Sequence, residues 1–165
     1  MIKSPMFTHA ADSFRHGLEH YFDGTERSRK FAILHIDQAI ELIIKEKVID
    51  LGKSIYKSDG KTLTIHEALR SVEKEVSIPE LPRLEELHDL RNVIQHKGVL
   101  PDKTTTDFYI RVAYNFTKRF IKSEFSLGLN SILSPQQIAI FEAPQPRNLP
   151  KQVTDAINDA FSNEN

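Results

Sequence analysis

Apolar positions recur along this chain at helical spacing. From Phe7 to Phe22, the residues Phe7, Ala10, Ala11, Phe14, Leu18 and Phe22 fall close to an i, i+3, i+4, i+7 pattern, and Asp23-Gly24 ends the run. The next segment, Ser28 to Asp50, carries Phe31, Leu34, Ala39, Ile40, Leu42, Ile43, Ile44, Val48 and Ile49 and is apolar around most of its circumference in its second half. A helix of that kind is covered on several sides, so it is expected at the centre of the fold.

The remaining elements are announced by their ends. Thr64-Ile65-His66-Glu67 has the residues of a capping box, in which threonine and glutamate satisfy free N–H groups at a helix start, and the helix should run to Glu75. Pro79 and Pro82 suit a first turn, where a missing N–H costs nothing. The helix from about Pro82 to Lys97 is then closed by Gly98 and Pro101. Thr104 to Phe125 forms another, with Tyr109, Val112, Ala113, Phe116 and Phe120 on one face. Between the second and third helices, Asp59-Gly60 separates two short runs and suggests a small hairpin or an irregular loop.

After Ser126 the chain turns to Ser, Asn, Gln and Pro, with a helix start at Ser134-Pro135-Gln136-Gln137 and an amphipathic helix over Pro150 to Phe161. The stripe of that last helix, Val153, Ala156, Ile157, Ala160 and Phe161, either packs on its own bundle or docks a partner. The expected architecture is all-α, an antiparallel bundle over residues 1–125 followed by a polar extension over 126–165.

Composition narrows the chemistry. With no cysteine among 165 residues, disulfides, thiolate metal sites and a cysteine nucleophile are excluded. A net charge of −1 argues against coating nucleic acid through bulk charge and leaves room for a local site. The clusters Lys45, Lys47, Lys53, Lys57, Lys61 and Arg111, Lys118, Arg119, Lys122 read first as solvated faces and loops. No apolar stretch of membrane length or leader-like segment occurs, so a cytoplasmic location is expected.

The helix over Pro82 to Lys97 carries a second pattern. At about 100° per residue, Leu84, Leu87, Leu90 and Ile94 share the core sector, while Glu85, Glu86, Asp89, Val93 and Lys97 point mostly outward. Between them His88, Arg91, Asn92, Gln95 and His96 form a polar stripe without carboxylates. A guanidinium there can stabilise the charge of a pentacoordinate phosphoryl transition state, and an imidazole can move a proton near neutral pH. Equally, Arg91 can pair with an acid of a neighbouring helix while His96 interacts with the helix dipole.

The segment Leu90-Arg91-Asn92-Val93-Ile94-Gln95-His96 resembles the R-N-x3-H motif of the HEPN superfamily, and the order of helices around it is similar over Phe7 to Phe125. The resemblance implies a metal-independent endoribonuclease acting on single-stranded RNA as a homodimer, without cofactor or metal. Arg91 would hold the scissile phosphate, His96 would transfer protons, and Asn92 would orient His96 or bind phosphate. Gln95 and His88, added from the helical face, and Lys97 would contact RNA. Many such proteins act in toxin-antitoxin pairs or phage defence under an antitoxin or regulatory partner, in some cases through a tyrosine two residues after the histidine. Gly98 stands there in this chain. Other members serve only as dimerisation or partner-binding modules.

Among the other histidines, His16 and His20 are i, i+4 on the first helix, but no third ligand is placed beside them by sequence, so no metal site is expected. His35 is expected as a hydrogen-bonded core histidine. No glycine-rich phosphate loop, HExxH or GxSxG is present.

Overall fold

The computed structural model describes residues 4–143; the helix expected over Pro150 to Phe161 lies outside them. The fold is all-α, with six α-helices, one short 3-10 turn and no strand among the described residues. The helices are α1 (Pro5–Asp23), α2 (Glu26–Asp50), α3 (Ile65–Glu73), α4 (Leu81–Lys97), α5 (Lys103–Phe125) and α6 (Pro135–Glu142).

Local chemistry sets their ends. The Ser4 hydroxyl accepts from the Phe7 N–H at 3.0 Å and donates to Glu46 at 2.7 Å, so the cap of α1 is also tied to α2. Gly24, at φ +69°, closes α1, and Thr25 caps α2 directly after it. This tight αα-hairpin lays α1 against α2 along their main mutual face. The capping box at Thr64 and Glu67 is present, and Gly98 takes the left-handed conformation at the end of α4. Asp102 caps α5 by accepting from the Thr105 N–H at 2.7 Å.

The expected central helix is α2, which touches α1, α3, α4 and α5. Ala32, Ile33, Ile36, Ala39, Ile40, Ile43, Ile44 and Val48 are all fully buried along it. Phe14 and Leu18 of α1, Leu84 and Leu87 of α4, and Phe116 and Phe120 of α5 complete the core. At Gly17 the helices approach so closely that a Cβ would lie 2.7 Å from Ile36 Cγ1.

Between α2 and α3 the chain forms a loop closed by one antiparallel bridge, Tyr56 to Thr62, rather than a hairpin of strands. Gly60 at φ +80° and the Asp59 carboxylate, which accepts from the Lys61 N–H, make the turn. The runs on either side are too short to extend the pairing.

Two of the lysines expected on solvated faces are buried instead. Lys45 donates to Glu41 at 2.6 Å, and Lys47 sits between Asp50 at 2.6 Å and Glu124 at 3.3 Å. Their stems pass through the packed side of α2, and each ammonium finds a carboxylate at the rim. The weak helix start at Ser134 is realised as α6, whose Phe141 stacks on Tyr114 with centroids 4.4 Å apart. No helix among the described residues is long and apolar enough to cross a membrane.

Candidate functional site

The polar stripe of α4 lies against α2. Leu84, Leu87 and Ile94 anchor α4 in the core, so His88 and Arg91 are carried to the seam between the two helices. There they meet Asp37, a fully buried carboxylate at the middle of α2. His88 Nδ1 donates to Asp37 Oδ2 at 3.0 Å, and Arg91 Nε lies 3.6 Å from the same oxygen. Asp37 Oδ1 is buried with no hydrogen-bond partner among the described residues.

This pairing governs the protonation of both groups. Burial pushes the Asp37 pKa up, opposed by the hydrogen bond and charge of His88 and then by Arg91. The His88 pKa is raised chiefly by its hydrogen bond to Asp37, with burial working in the other direction. One proton is thus held between carboxylate and imidazole, and His88 is the group that keeps it toward neutral pH.

Arg91 is only partly enclosed. Its Nη1 donates to Asn92 Oδ1 at 2.9 Å, which orients the guanidinium beside the residue that follows it. The outer side of Arg91, with Gln95, lines an open groove of about 470 Å³ whose other wall is the α2 face of Phe31, Leu34, His35, Gln38, Glu41 and Leu42. Arg91 therefore holds an ion pair within its own chain and a groove position at once. The acid of a neighbouring helix is present, and the stripe faces a carboxylate it did not itself contain.

His96 and Lys97 lie in the last turn of α4 and are exposed, and His96 has no hydrogen bond or ion pair among the described residues. Five residues after Arg91, His96 is rotated about 140° from it on the helix. The two do not converge on one point within a single chain. Val99 and Leu100, directly after the helix, are exposed apolar side chains.

A second polar cluster, which sequence reasoning did not assemble, lies on α1 and α2. His35 is half-buried against the rings of His16 and His20, at centroid distances of 4.6 Å and 5.6 Å. It makes no hydrogen bond among the described residues, contrary to the expectation for a core histidine. Asp37 was likewise legible only as a polar interruption of the apolar run in α2, a signal that marks burial with a partner or function.

Set against protein-family models, curated proteins and solved structures, the chain matches none of them.

Proposed function

We propose that the chain is a metal-independent endoribonuclease of HEPN type that cleaves single-stranded RNA as a homodimer, in a toxin-antitoxin or phage-defence setting. The observation that carries this reading is an arginine on the wall of an open groove, with an exposed and unpartnered histidine a turn and a half further along the same helix. The R-N-x3-H resemblance gives those two residues their roles.

In this reading Arg91 binds a non-bridging phosphate oxygen and stabilises the charge that grows there as the 2′-hydroxyl attacks phosphorus. The 2′-oxygen to phosphorus bond forms and the bond to the 5′-oxygen breaks, leaving a 2′,3′-cyclic phosphate and a 5′-hydroxyl. The 2′ proton must be removed and the 5′-oxygen protonated, which two copies of His96 at a shared site can do as base and acid. Asn92 fixes the guanidinium. Gln95 offers a neutral contact in the groove, and Lys97 an exposed charge near His96. Because Arg91 and His96 diverge on the helix, the site needs the second copy, and exposed Val99 and Leu100 beside His96 provide apolar surface for it.

A second reading is favoured by one specific observation: Arg91 and His88 both pair with Asp37 inside the chain. In that case α4 serves stability, and the protein is a non-catalytic dimerisation or partner-binding module. Incubation with single-stranded RNA in EDTA separates the two. The ribonuclease yields cyclic-phosphate ends that disappear in Arg91→Ala and His96→Ala; equal activity in wild type and both variants, or none in wild type, supports the module.

A further inference from the structure

The three histidines at the α1–α2 seam have chemistry of their own. His16 and His20 stand one turn apart on α1, and His35 comes to them from α2, so the cluster joins two elements. The contact that brings them together is the missing side chain at Gly17, next to His16, against Ile36, next to His35. Ligand nitrogens of all three rings lie within 4.8 Å of one another.

We propose that His16, His20 and His35 form a three-imidazole binding site for a divalent transition metal of the zinc class, with its remaining position open to solvent. This inference stands apart from the ribonuclease reading and uses none of its catalytic or RNA-contacting residues, although His35 also stands in the wall of the groove beside Arg91.

Four observations support it. First, metal–imidazole bonds of about 2.0–2.1 Å in a tetrahedron place the nitrogens roughly 3.3 Å apart, so small side-chain rotations close the site without moving backbone. His16 is exposed and can supply most of that motion. Second, His16 Nδ1 lies 3.2 Å from Glu19 Oε2. A carboxylate accepting from Nδ1–H leaves the Nε2 lone pair free, which is the usual second-shell arrangement of a ligating histidine.

Third, the rings of His20 and His35 have no hydrogen-bond partner among the described residues, so their acceptor nitrogens are uncommitted. Fourth, packing alone does not call for imidazoles here. An aromatic seam with Phe31, 5.2 Å from His20, needs no ring nitrogens, and three imidazoles side by side repel when protonated.

The competing set on this molecule is Asp37, Glu41 and His88, whose ligand atoms also lie close together. Its carboxylates already pair with Arg91 and Lys45, outside the set. A metal ion there would have to displace two protein cations, so the histidine cluster is the better acceptor of charge.

The test is Co²⁺ and Zn²⁺ titration of the full chain, purified without a polyhistidine tag. We expect one equivalent bound, a visible Co²⁺ spectrum of low coordination number bleached by Zn²⁺, and a rise in thermal midpoint with Zn²⁺. His16→Gln, at an exposed site where a substitution changes stability little, and His35→Gln should each weaken binding by at least about tenfold. Glu19→Gln should weaken it less. No saturable binding to folded wild-type protein overturns the proposal, as does binding that survives both histidine substitutions or is lost in His88→Gln.

Discussion

Replacing Gly17 with alanine sets two known effects against each other. Alanine in place of glycine inside a helix stabilises it by about 1 kcal/mol. The new methyl, however, would sit 2.7 Å from Ile36 Cγ1, 2.9 Å from Cδ1 and 3.2 Å from the Ile36 backbone nitrogen. Ile36 is fully buried and β-branched, so in a helix its side chain has one strongly preferred rotamer and cannot swing aside. The backbone nitrogen is fixed within α2, so the helices must part. Overpacking of this kind costs about 1–3 kcal/mol. The net prediction is a loss of between about 0 and 2 kcal/mol, seen as a fall of up to about 8 °C in thermal midpoint for a domain of this size. Ile36→Val removes Cδ1 and alone costs about 0.5–1.5 kcal/mol. In the double variant the losses should sum to less than the two singles by at least about 0.5 kcal/mol. Chemical denaturation of all four proteins measures this cycle. If Gly17→Ala instead stabilises the protein by the full helical gain of about 1 kcal/mol, the close approach of α1 and α2 is wrong, and with it the placement of the histidines beside it.

Two histidines should bend the pH dependence of stability in opposite directions about pH 6.5. The folded pKa of His35 is lowered, so stability rises with pH up to the unfolded value of about 6.5, whereas that of His88 is raised, so its contribution is lost as pH climbs above that value. Thermal melts from pH 5 to pH 8 should therefore show His35→Gln flattening the acid limb and His88→Gln the alkaline limb; unchanged limbs would refute the assignment. His96→Ala should leave stability within about 0.5 kcal/mol of wild type, because the side chain is exposed and unpartnered, so any lost RNA cleavage in that protein is chemical rather than structural. Phe141→Ala removes a buried ring stacked on Tyr114 and should cost about 3 kcal/mol in urea unfolding, with α6 becoming sensitive to protease in the native state; an unchanged midpoint would mean that α6 does not hold to the bundle.

The helices were legible because their signals are local. Spacing of apolar residues marked α1 and α2, Thr64 with Glu67 started α3, and Gly98 ended α4, each by chemistry confined to a few neighbouring residues. The polar stripe of α4 was visible for the same reason. What lies opposite a stripe depends on the register between helices, and no periodicity within one helix contains it. Asp37 under His88, and His35 against His16 and His20, are products of that register. The burial of Lys45 and Lys47 was hidden likewise, since a lysine with a carboxylate at its tip has the same letter as one in water.

The buried carboxylate on α2 also makes the groove self-limiting toward anions. Around Arg91 stand two acids, Asp37 and Glu41, and two further bases, Lys45 and His88. With the imidazole protonated, the neighbourhood keeps one unit of positive charge for an incoming phosphate; once that proton is gone, the balance is neutral and the guanidinium is already spoken for. Acidification should then draw anions to the groove and alkalinity should release them, a pH response set by local charge and not by the chain's net charge of −1.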